Sequence, residues 1–197
     1  MSAAWLLNQA HSITVYEKND RLGGHSNTIN VKRPSGSIPV DTGFIVYNAV
    51  SYPNLIALFD YLKIPTKPSE MSFSASLDQG EFEYAGTNLN GLLGQRSNIV
   101  RPRFWLMLRD ILRFYKEAPA ILEEPLETET SLGTYLARQN YSSCFINDHL
   151  LPMGAAIWST TAAKMTDYPA QAFVRFFQSH GLLSLTNRPQ WFTVAGG

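Results

Sequence analysis

Hydrophobic spacing predicts a helix, a strand and a hairpin in the first part of the chain. Residues 2–7 are mostly small or apolar, which is typical of the body of a helix, and the tail of that helix is predicted over residues 2–9. Residues 13–17 form a β-like run and predict a strand, so the two segments together suggest the remnant of a βαβ unit. After a glycine-rich loop at residues 18–28, two short segments at residues 31–34 and 38–40, with the turn residues Ser35-Gly36 between them, predict a β-hairpin.

A second helix and a second hairpin follow. Pro53 favours a helix start, because proline is tolerated in the first turn. One apolar face continues from it through Leu55, Leu58, Phe59 and Leu62. Pro65 and Pro68 are expected to end this helix. Residues 73–77 and 81–85 alternate in polarity around the turn residues Asp78-Gln79-Gly80, which predicts a hairpin.

The remaining chain has mostly helical spacing. Residues 101–124 place apolar side chains at helical intervals, and Ser or Thr near their starts favour further helices at residues 131–139 and 143–153. Asp167 is a candidate cap for a helix that continues through Phe177. In the first of these helices the predicted apolar side comprises Phe104, Trp105, Leu108, Ile111, Leu112 and Tyr115, and the predicted polar side comprises Arg109, Asp110, Arg113 and Lys116.

Composition indicates a globular protein. The chain has 197 residues, of which 45% are hydrophobic, and it carries 16 basic and 16 acidic residues. Because no basic block occurs, nucleic acid is not expected as a partner. Cys144 is the single cysteine, no run reaches the ~18 apolar residues of a membrane span, and no signal-peptide pattern opens the chain. We therefore expect a cytoplasmic protein without a transmembrane segment, with contact at a membrane surface left open.

The strongest chemical motif lies in residues 16–25. Glu17 ends the predicted strand, and Arg21, Gly23 and Gly24 follow it closely. An acid in this position can accept hydrogen bonds from ribose hydroxyls, while a glycine pair lets the backbone approach a ligand. This pattern is typical of a site for the adenosine half of a dinucleotide. The plain alternatives are a surface acid, a solvated arginine and an ordinary turn.

Other candidate residues carry weaker signals. Asp41-Thr42-Gly43 is either a turn whose backbone approaches a ligand or a hairpin closure with an Asx-turn. His25 could titrate near neutral pH. Trp158 and Trp191 are candidates for an apolar substrate pocket or, more commonly, for core packing. No H-x-x-H or C-x-x-C spacing occurs, so no metal site is predicted. The absence of a G-x-S-x-G motif argues against a serine hydrolase.

These motifs resemble a known enzyme family. Glu17 to Gly24 match the E-x-x-x-R-x-G-G motif of FAD-dependent oxidoreductases of the flavin amine oxidase superfamily, and Asp41 to Phe44 are similar to its following D-x-G turn. Softer similarity, at residues 157–159 and 191–197, is to a bacterial subgroup described as predicted NAD/FAD-binding proteins. The resemblance implies an FAD cofactor and implies cofactor contacts at Glu17, Arg21, Gly23, Gly24, His25, Thr42 and Gly43. At His25 the chain departs from much of the superfamily, where an arginine often follows the glycine pair.

The resemblance also implies an architecture. The expected fold class is α/β, with a partial Rossmann-like FAD-binding domain over residues 1–68. An α+β substrate domain, mostly helical with a β-hairpin, is expected over residues 69–197. Because the G-x-G-x-x-G turn belongs roughly 20 residues before Glu17, it would fall at or before Met1. The sequence is therefore expected to be truncated at both ends.

The implied activity is hydride transfer from a C–N or C–C bond of a small, apolar or lipid-like substrate to flavin. No catalytic acid or base is assigned, because the cofactor performs that chemistry. Two alternatives remain: an inactive truncated fragment, and a nucleotide-binding module without flavin chemistry. The sequence indicates neither the electron acceptor nor the oligomeric state.

Overall fold

The computed structural model describes residues 1–125, 130–186 and 188–196, and it divides the chain into two compact units. The first unit comprises Met1–Ser69 with Gln190–Gly197, and the second comprises Glu70–Pro189. The elements of the first unit are α1 (Ser2–Leu7), β1 (Thr28–Arg33), β2 (Gly36–Asp41), β3 (Tyr47–Asn48), α2 (Pro53–Leu62), β4 (Thr66–Ser69) and β7 (Trp191–Val194).

The β1–β2 hairpin confirms the first predicted hairpin and extends it. The strands are antiparallel, with Thr28 opposite Asp41 and Arg33 opposite Gly36, so the chain turns at residues 34–35. Gly36 has a φ of 126°, a conformation that favours glycine. Helix α2 is also confirmed. It ends when Lys63 adopts a left-handed conformation, before either proline is reached.

The predicted strand over residues 13–17 is not present. These residues lack regular structure, although Ile13 and Val15 line an apolar groove together with Trp5 of α1 and Leu58 of α2. Their alternation therefore reflects packing beside helices. A strand also needs a hydrogen-bonded neighbour, and no strand of the described residues pairs with them.

The sheets are small and antiparallel in the part of the chain that the structure describes, which makes the fold a mixture of helices and strands. In the first unit, β7 lies between β3 and β4. The sequence-based division assigned residues 190–196 to the second domain. It was wrong there, because their strand makes its ladder with the first unit. Gly197, the last residue of the quoted C-terminal motif, lies outside the described residues.

The first unit buries little side-chain surface. Among its described residues, Tyr47, Asn48 and Trp191 are buried. Tyr47 lies edge-on to Phe59 at a centroid distance of 5.3 Å and lies 6.1 Å from Phe192. This aromatic contact joins α2 to the three-stranded sheet.

The second unit holds most of the core. Its elements are β5 (Ser74–Leu77), β6 (Phe82–Ala85), α3 (Leu89–Leu92), α4 (Pro102–Glu117), α5 (Leu132–Arg138), α6 (Ser143–Phe145), α7 (Leu151–Trp158), α8 (Ala162–Met165) and α9 (Ala170–Ser179). Short 3₁₀ turns cover Asp78–Gly80, Arg96–Val100 and Ala118–Glu123, and a π-helical turn covers Ile146–Leu150. The antiparallel β5–β6 pair confirms the second predicted hairpin.

Side-chain caps start two of these helices as predicted. The Ser131 hydroxyl accepts the N–H of Thr134 at 3.2 Å, and the Ser142 hydroxyl accepts that of Phe145 at 3.3 Å. Asp167 does not cap the last helix, which starts at Ala170 after Pro169. Neither the described helices nor their apolar stretches are long enough to cross a membrane.

Helix α4 differs in phase from the sequence prediction. Its inner face is formed by Phe104, Met107, Ile111 and Phe114, which join the core. Asp110 is completely buried on the same side, whereas Trp105 and Leu112 are each 52% exposed. The assignment of Trp105 and Leu112 to the apolar side and Asp110 to the polar side was therefore wrong, because the buried carboxylate of Asp110 accepts hydrogen bonds from the Arg109 side chain and the N–H of Ser142.

Candidate functional site

The loop at residues 18–28, here called the glycine loop, is held together by Arg21. One guanidinium nitrogen, Nη2, donates to the carbonyl of Gly24 at 2.8 Å, and Nη1 donates to that of Ser26 at 3.2 Å. The N–H of Ser26 donates to the carbonyl of Gly23 at 3.1 Å. Arg21 thus fixes the path of the backbone around the glycine pair, because its planar fork satisfies two carbonyls at once.

Both glycines of the pair have a backbone that favours glycine. Gly23 has a φ of 111° and Gly24 a φ of 60°. A Cβ at Gly23 would lie 3.0 Å from the carbonyl oxygen of Ser26, whereas one at Gly24 would meet nothing within 4 Å. The backbone at Gly24 consequently faces open space on the side where a side chain would otherwise project.

A network of hydrogen bonds joins the glycine loop to the end of β2. The N–H of Thr42 donates to the carbonyl of Asn27 at 2.8 Å, and the Thr42 hydroxyl donates to the same oxygen at 3.0 Å. In return, Nδ2 of Asn27 donates to Oγ1 of Thr42 at 2.9 Å. Across the hairpin, Thr28 Oγ1 donates to Asp41 Oδ1 at 2.6 Å. Two segments that are some 15 residues apart in sequence therefore form one structure.

Gly43 makes the closest approach at this junction. A Cβ on Gly43 would lie 1.7 Å from the carbonyl oxygen of His25 and 2.8 Å from its carbonyl carbon. Any other residue at position 43 would collide with the backbone of the glycine loop. The structure thus brings Arg21, Gly23, Gly24, His25, Thr42 and Gly43 together, the candidates that the sequence singled out besides Glu17.

Glu17 lies before the glycine loop, on a segment without regular structure. Its Oε1 accepts the N–H of Asn19 at 2.9 Å. A carboxylate can accept several hydrogen bonds, so Glu17 retains capacity for the hydroxyls of a ligand. Its side chain is exposed, as is that of His25, whose carbonyl rather than its imidazole forms the contact with Gly43.

Asn48 is a buried polar residue that the sequence reasoning missed. Its Oδ1 accepts the N–H of Ser51 at 2.8 Å, but within the described chain Nδ2 has no hydrogen-bond partner. Buried amide groups are normally satisfied, so this donor has spare capacity in the first unit. The available signal in the sequence was a single amide after the apolar run Ile45-Val46-Tyr47.

A second polar cluster lies inside the second unit. Arg103 donates from Nε and Nη2 to both carboxylate oxygens of Asp148, at 2.6 and 2.8 Å, and from Nη1 to Asp78 at 2.7 Å. The Tyr84 hydroxyl donates to the backbone carbonyl of Asp148 at 2.8 Å. Pro152, four residues after Asp148, has no N–H to bond that carbonyl, so Tyr84 takes the place of a helix hydrogen bond.

His149 completes this second cluster. Its Nδ1 lies 2.9 Å from the Tyr84 hydroxyl oxygen. Because the hydroxyl proton goes to the Asp148 carbonyl, which can only accept, Nδ1 carries the proton and donates to Tyr84. Burial lowers the pKa of His149 to about 4 and raises that of Tyr84, so both groups are neutral at physiological pH.

The two tryptophans considered for a substrate pocket belong to packed regions. Trp158 lies 4.7 Å from Phe176 and 5.0 Å from Tyr168, measured between ring centroids. Trp191 is buried on β7 in the first unit. Over the described residues, no group of three or more His, Cys, Asp or Glu side chains is arranged to hold a metal ion.

Comparison with known families identifies the chain's relatives. The family model for flavin-containing amine oxidoreductases matches residues 1–181, which is most of the chain. The chain belongs to this family. Its membership implies FAD as the cofactor and supports an oxidoreductase function. A search of curated proteins found no match.

The residues of the first site fit part of what a flavin amine oxidoreductase needs. The exposed carboxylate of Glu17 suits the ribose hydroxyls, and the open backbone at Gly24 suits close approach of a charged or planar group. The unpaired Nδ2 of Asn48 offers a further donor in the same unit.

Proposed function

We propose that this chain is an FAD-dependent oxidoreductase that moves a hydride from a C–N or C–C bond of its substrate to the flavin. One observation supports the proposal most strongly: the carbonyl of His25 packs against a Gly43 that has no room for a side chain. That contact joins the two motif segments which resemble the family. Membership of the flavin amine oxidoreductase family supports the cofactor class.

Each residue in the proposed site has a binding role. Glu17 binds the ribose hydroxyls, and the backbone of Gly23 and Gly24 lies along the cofactor. Arg21 keeps that backbone in place through its two carbonyl contacts. Thr42 and Gly43 contribute the second segment of the site. When bound, FAD supplies the hydride acceptor, while the protein binds, orients and excludes water.

The proposal also includes finer points that rest on the resemblance. They are a Rossmann-like FAD domain over residues 1–68, a substrate domain over residues 69–197 apart from the segment that contains β7, a cytoplasmic location and a small, apolar or lipid-like substrate. Nucleic acid is not part of the proposal, because the overall charge is balanced at 16 basic and 16 acidic residues.

The test is a flavin spectrum of the purified chain after supply of FAD and removal of the excess. We expect flavin absorption bands to remain with the protein. Glu17→Gln should weaken retention by about ten-fold, because it removes a charge-assisted hydrogen bond worth about 1.5 kcal/mol. Glu123→Gln is the matched control, since Glu123 is an exposed acid in the second unit.

Three outcomes separate the proposal from its alternatives. Retained flavin that depends on Glu17 but not on Glu123 supports the site. A colourless protein that binds NAD(H) in a dialysis assay would instead favour a nucleotide-binding module without flavin chemistry. A colourless protein that binds neither compound would contradict the proposed activity for this chain.

A further inference from the structure

Helix α4 exposes a row of alternating apolar and basic side chains. Trp105, Arg109, Leu112 and Lys116, here called the α4 outer row, are four, three and four residues apart. At that spacing they lie along one face of the helix. The row is opposite the buried face that contains Met107, and it is about 17 Å long at 1.5 Å per residue.

The exposed apolar surface continues beyond the helix. Trp105 Nε1 donates to the carbonyl of Ile99 at 2.8 Å, which places the preceding 3₁₀ turn beside the indole ring. Ile99 is 46% exposed and Val100 is 82% exposed. Together with Trp105 and Leu112, these residues present large hydrophobic side chains to solvent. A soluble helix ordinarily places polar residues in such positions.

The same region carries a concentrated positive charge. Between Arg96 and Lys116 the chain has six basic residues and one acid, Asp110, although the whole chain has 16 of each. The rest of the chain therefore holds ten basic and fifteen acidic residues. Within the described residues, Arg96, Arg101 and Lys116 form no ion pair with an acidic side chain. Arg103, Arg109 and Arg113 are paired with acidic side chains, so the positive charge available for an external anion lies on the other three basic residues.

We propose that the α4 outer row, with Ile99 and Val100, docks on a phospholipid surface that contains anionic headgroups. Amphipathic helices bind such surfaces by burying apolar side chains while basic ones contact the headgroups. Tryptophan is enriched at that depth of a membrane. A protein partner is less well matched, because lysine is depleted at the centre of protein interfaces and Lys116 lies on the row itself. This inference does not depend on the proposed flavin chemistry.

Vesicle binding tests the proposal directly. The chain should sediment with vesicles of phosphatidylcholine containing about one third phosphatidylglycerol, and far less with pure phosphatidylcholine vesicles. Lys116→Ala should lower the partition coefficient about five-fold, and Lys116→Glu at least ten-fold. Trp105→Ser should also reduce binding, and it should do so at high salt as well, because its contribution is apolar.

Matched variants separate this surface from general charge and hydrophobicity. Lys164→Glu changes an exposed lysine on α8, and Val50→Ser removes an exposed apolar side chain in the first unit; both should bind like the original chain. Each variant is first compared by near-ultraviolet circular dichroism, so that loss of folding is distinguished from loss of binding.

Several results would overturn the proposal. Equal sedimentation of the original chain with neutral and anionic vesicles would do so, as would a loss of binding in Lys164→Glu as large as that in Lys116→Glu. A complete lack of binding to anionic vesicles would also reject it. Concentration-dependent self-association that disappears in Trp105→Ser, without vesicle binding, would instead assign this face to a second copy of the chain.

Discussion

Protonation of His149 should destabilise the second unit in mild acid. Burial lowers the pKa of His149 to about 4, compared with 6.5 for a free histidine. Between these values the unfolded chain binds a proton that the folded chain does not, so stability falls as pH falls. The full difference in pKa corresponds to about 3 kcal/mol in the free energy of unfolding, and roughly 2 kcal/mol of it is lost when the pH has fallen to about 5.

The local contacts explain why the folded unit resists this proton. Nδ1 of His149 already donates to Tyr84, whose own proton goes to the Asp148 carbonyl. The imidazole lies between Phe145 and Phe73, at centroid distances of 6.1 and 5.7 Å. A positive charge in this surrounding would have no free acidic partner among these groups, because the carboxylate of Asp148 is already bound by Arg103, and its desolvation would be uncompensated.

Urea unfolding across a pH series measures the effect. The free energy of unfolding should fall between about pH 6.5 and pH 4 in the original chain, and His149→Gln should flatten that part of the curve. His11→Gln is the control, because His11 is exposed. An unchanged acid slope in His149→Gln would refute the reasoning. If that variant does not fold, NMR titration of the original chain decides, and a His149 pKa above about 6 would contradict the prediction.

Two further predictions concern close packing and buried charge. Gly43→Ala should melt at a lower temperature than Gly24→Ala, because a Cβ at position 43 would lie 1.7 Å from the His25 carbonyl oxygen. Gly24→Ala adds only backbone strain of about 1–2 kcal/mol. Equal melting temperatures of the two variants would contradict the contact at Gly43. Asp110→Asn should lower the free energy of unfolding by about 2 kcal/mol, because the buried carboxylate accepts the N–H of Ser142 at 2.8 Å and the side chain of Arg109 at 3.0 Å. Burial opposes ionisation of Asp110, but these donors hold its pKa below the usual value. The contribution of Asp110 to the free energy of unfolding should therefore disappear only below about pH 4, which is lower than the pH range in which His149 acts.

Local signals predicted most elements of the fold. Both hairpins combined alternating polarity with turn residues, and α2 combined Pro53 with a single apolar face. These features depend on neighbouring residues, so the sequence contains them directly. The strand expected over residues 13–17 failed for the opposite reason, because a strand depends on a partner that alternation alone does not supply.

Hydrophobic periodicity did not determine which face of α4 is buried. Apolar residues surround much of its circumference, so spacing allowed Trp105 and Leu112 to face the core. The hydrogen bond from the N–H of Ser142 to the buried carboxylate of Asp110 favours a different phase, and it joins residues 32 positions apart. The π-helical turn at Ile146–Leu150 was likewise unpredictable, since the carbonyl of Asp148 is satisfied by Tyr84 from a distant strand.

The two candidate segments were singled out from local residue types, and their cofactor contacts stay a prediction. Glycines and a turn threonine identified the two segments, and their chemistry is local. The sequence drew attention to the imidazole of His25, whereas the contact in the structure is between the carbonyl of His25 and Gly43. Asn48 could not have been selected from sequence, since its unpaired donor exists only once β3 is buried.

The position of β7 has a consequence for the order of folding. Gln190 donates from Nε2 to the carbonyl of Ser69 at 3.0 Å, so the chain returns to the place it left 121 residues earlier. The ladder of β4 with β7 cannot form on the ribosome until all of Glu70–Pro189 has been synthesised. The second unit is continuous in sequence and can fold first, while β3 and β4 wait for their central strand. A released chain that stops after Gln190, and so lacks β7, should therefore have a second unit that resists protease while its first unit is cleaved.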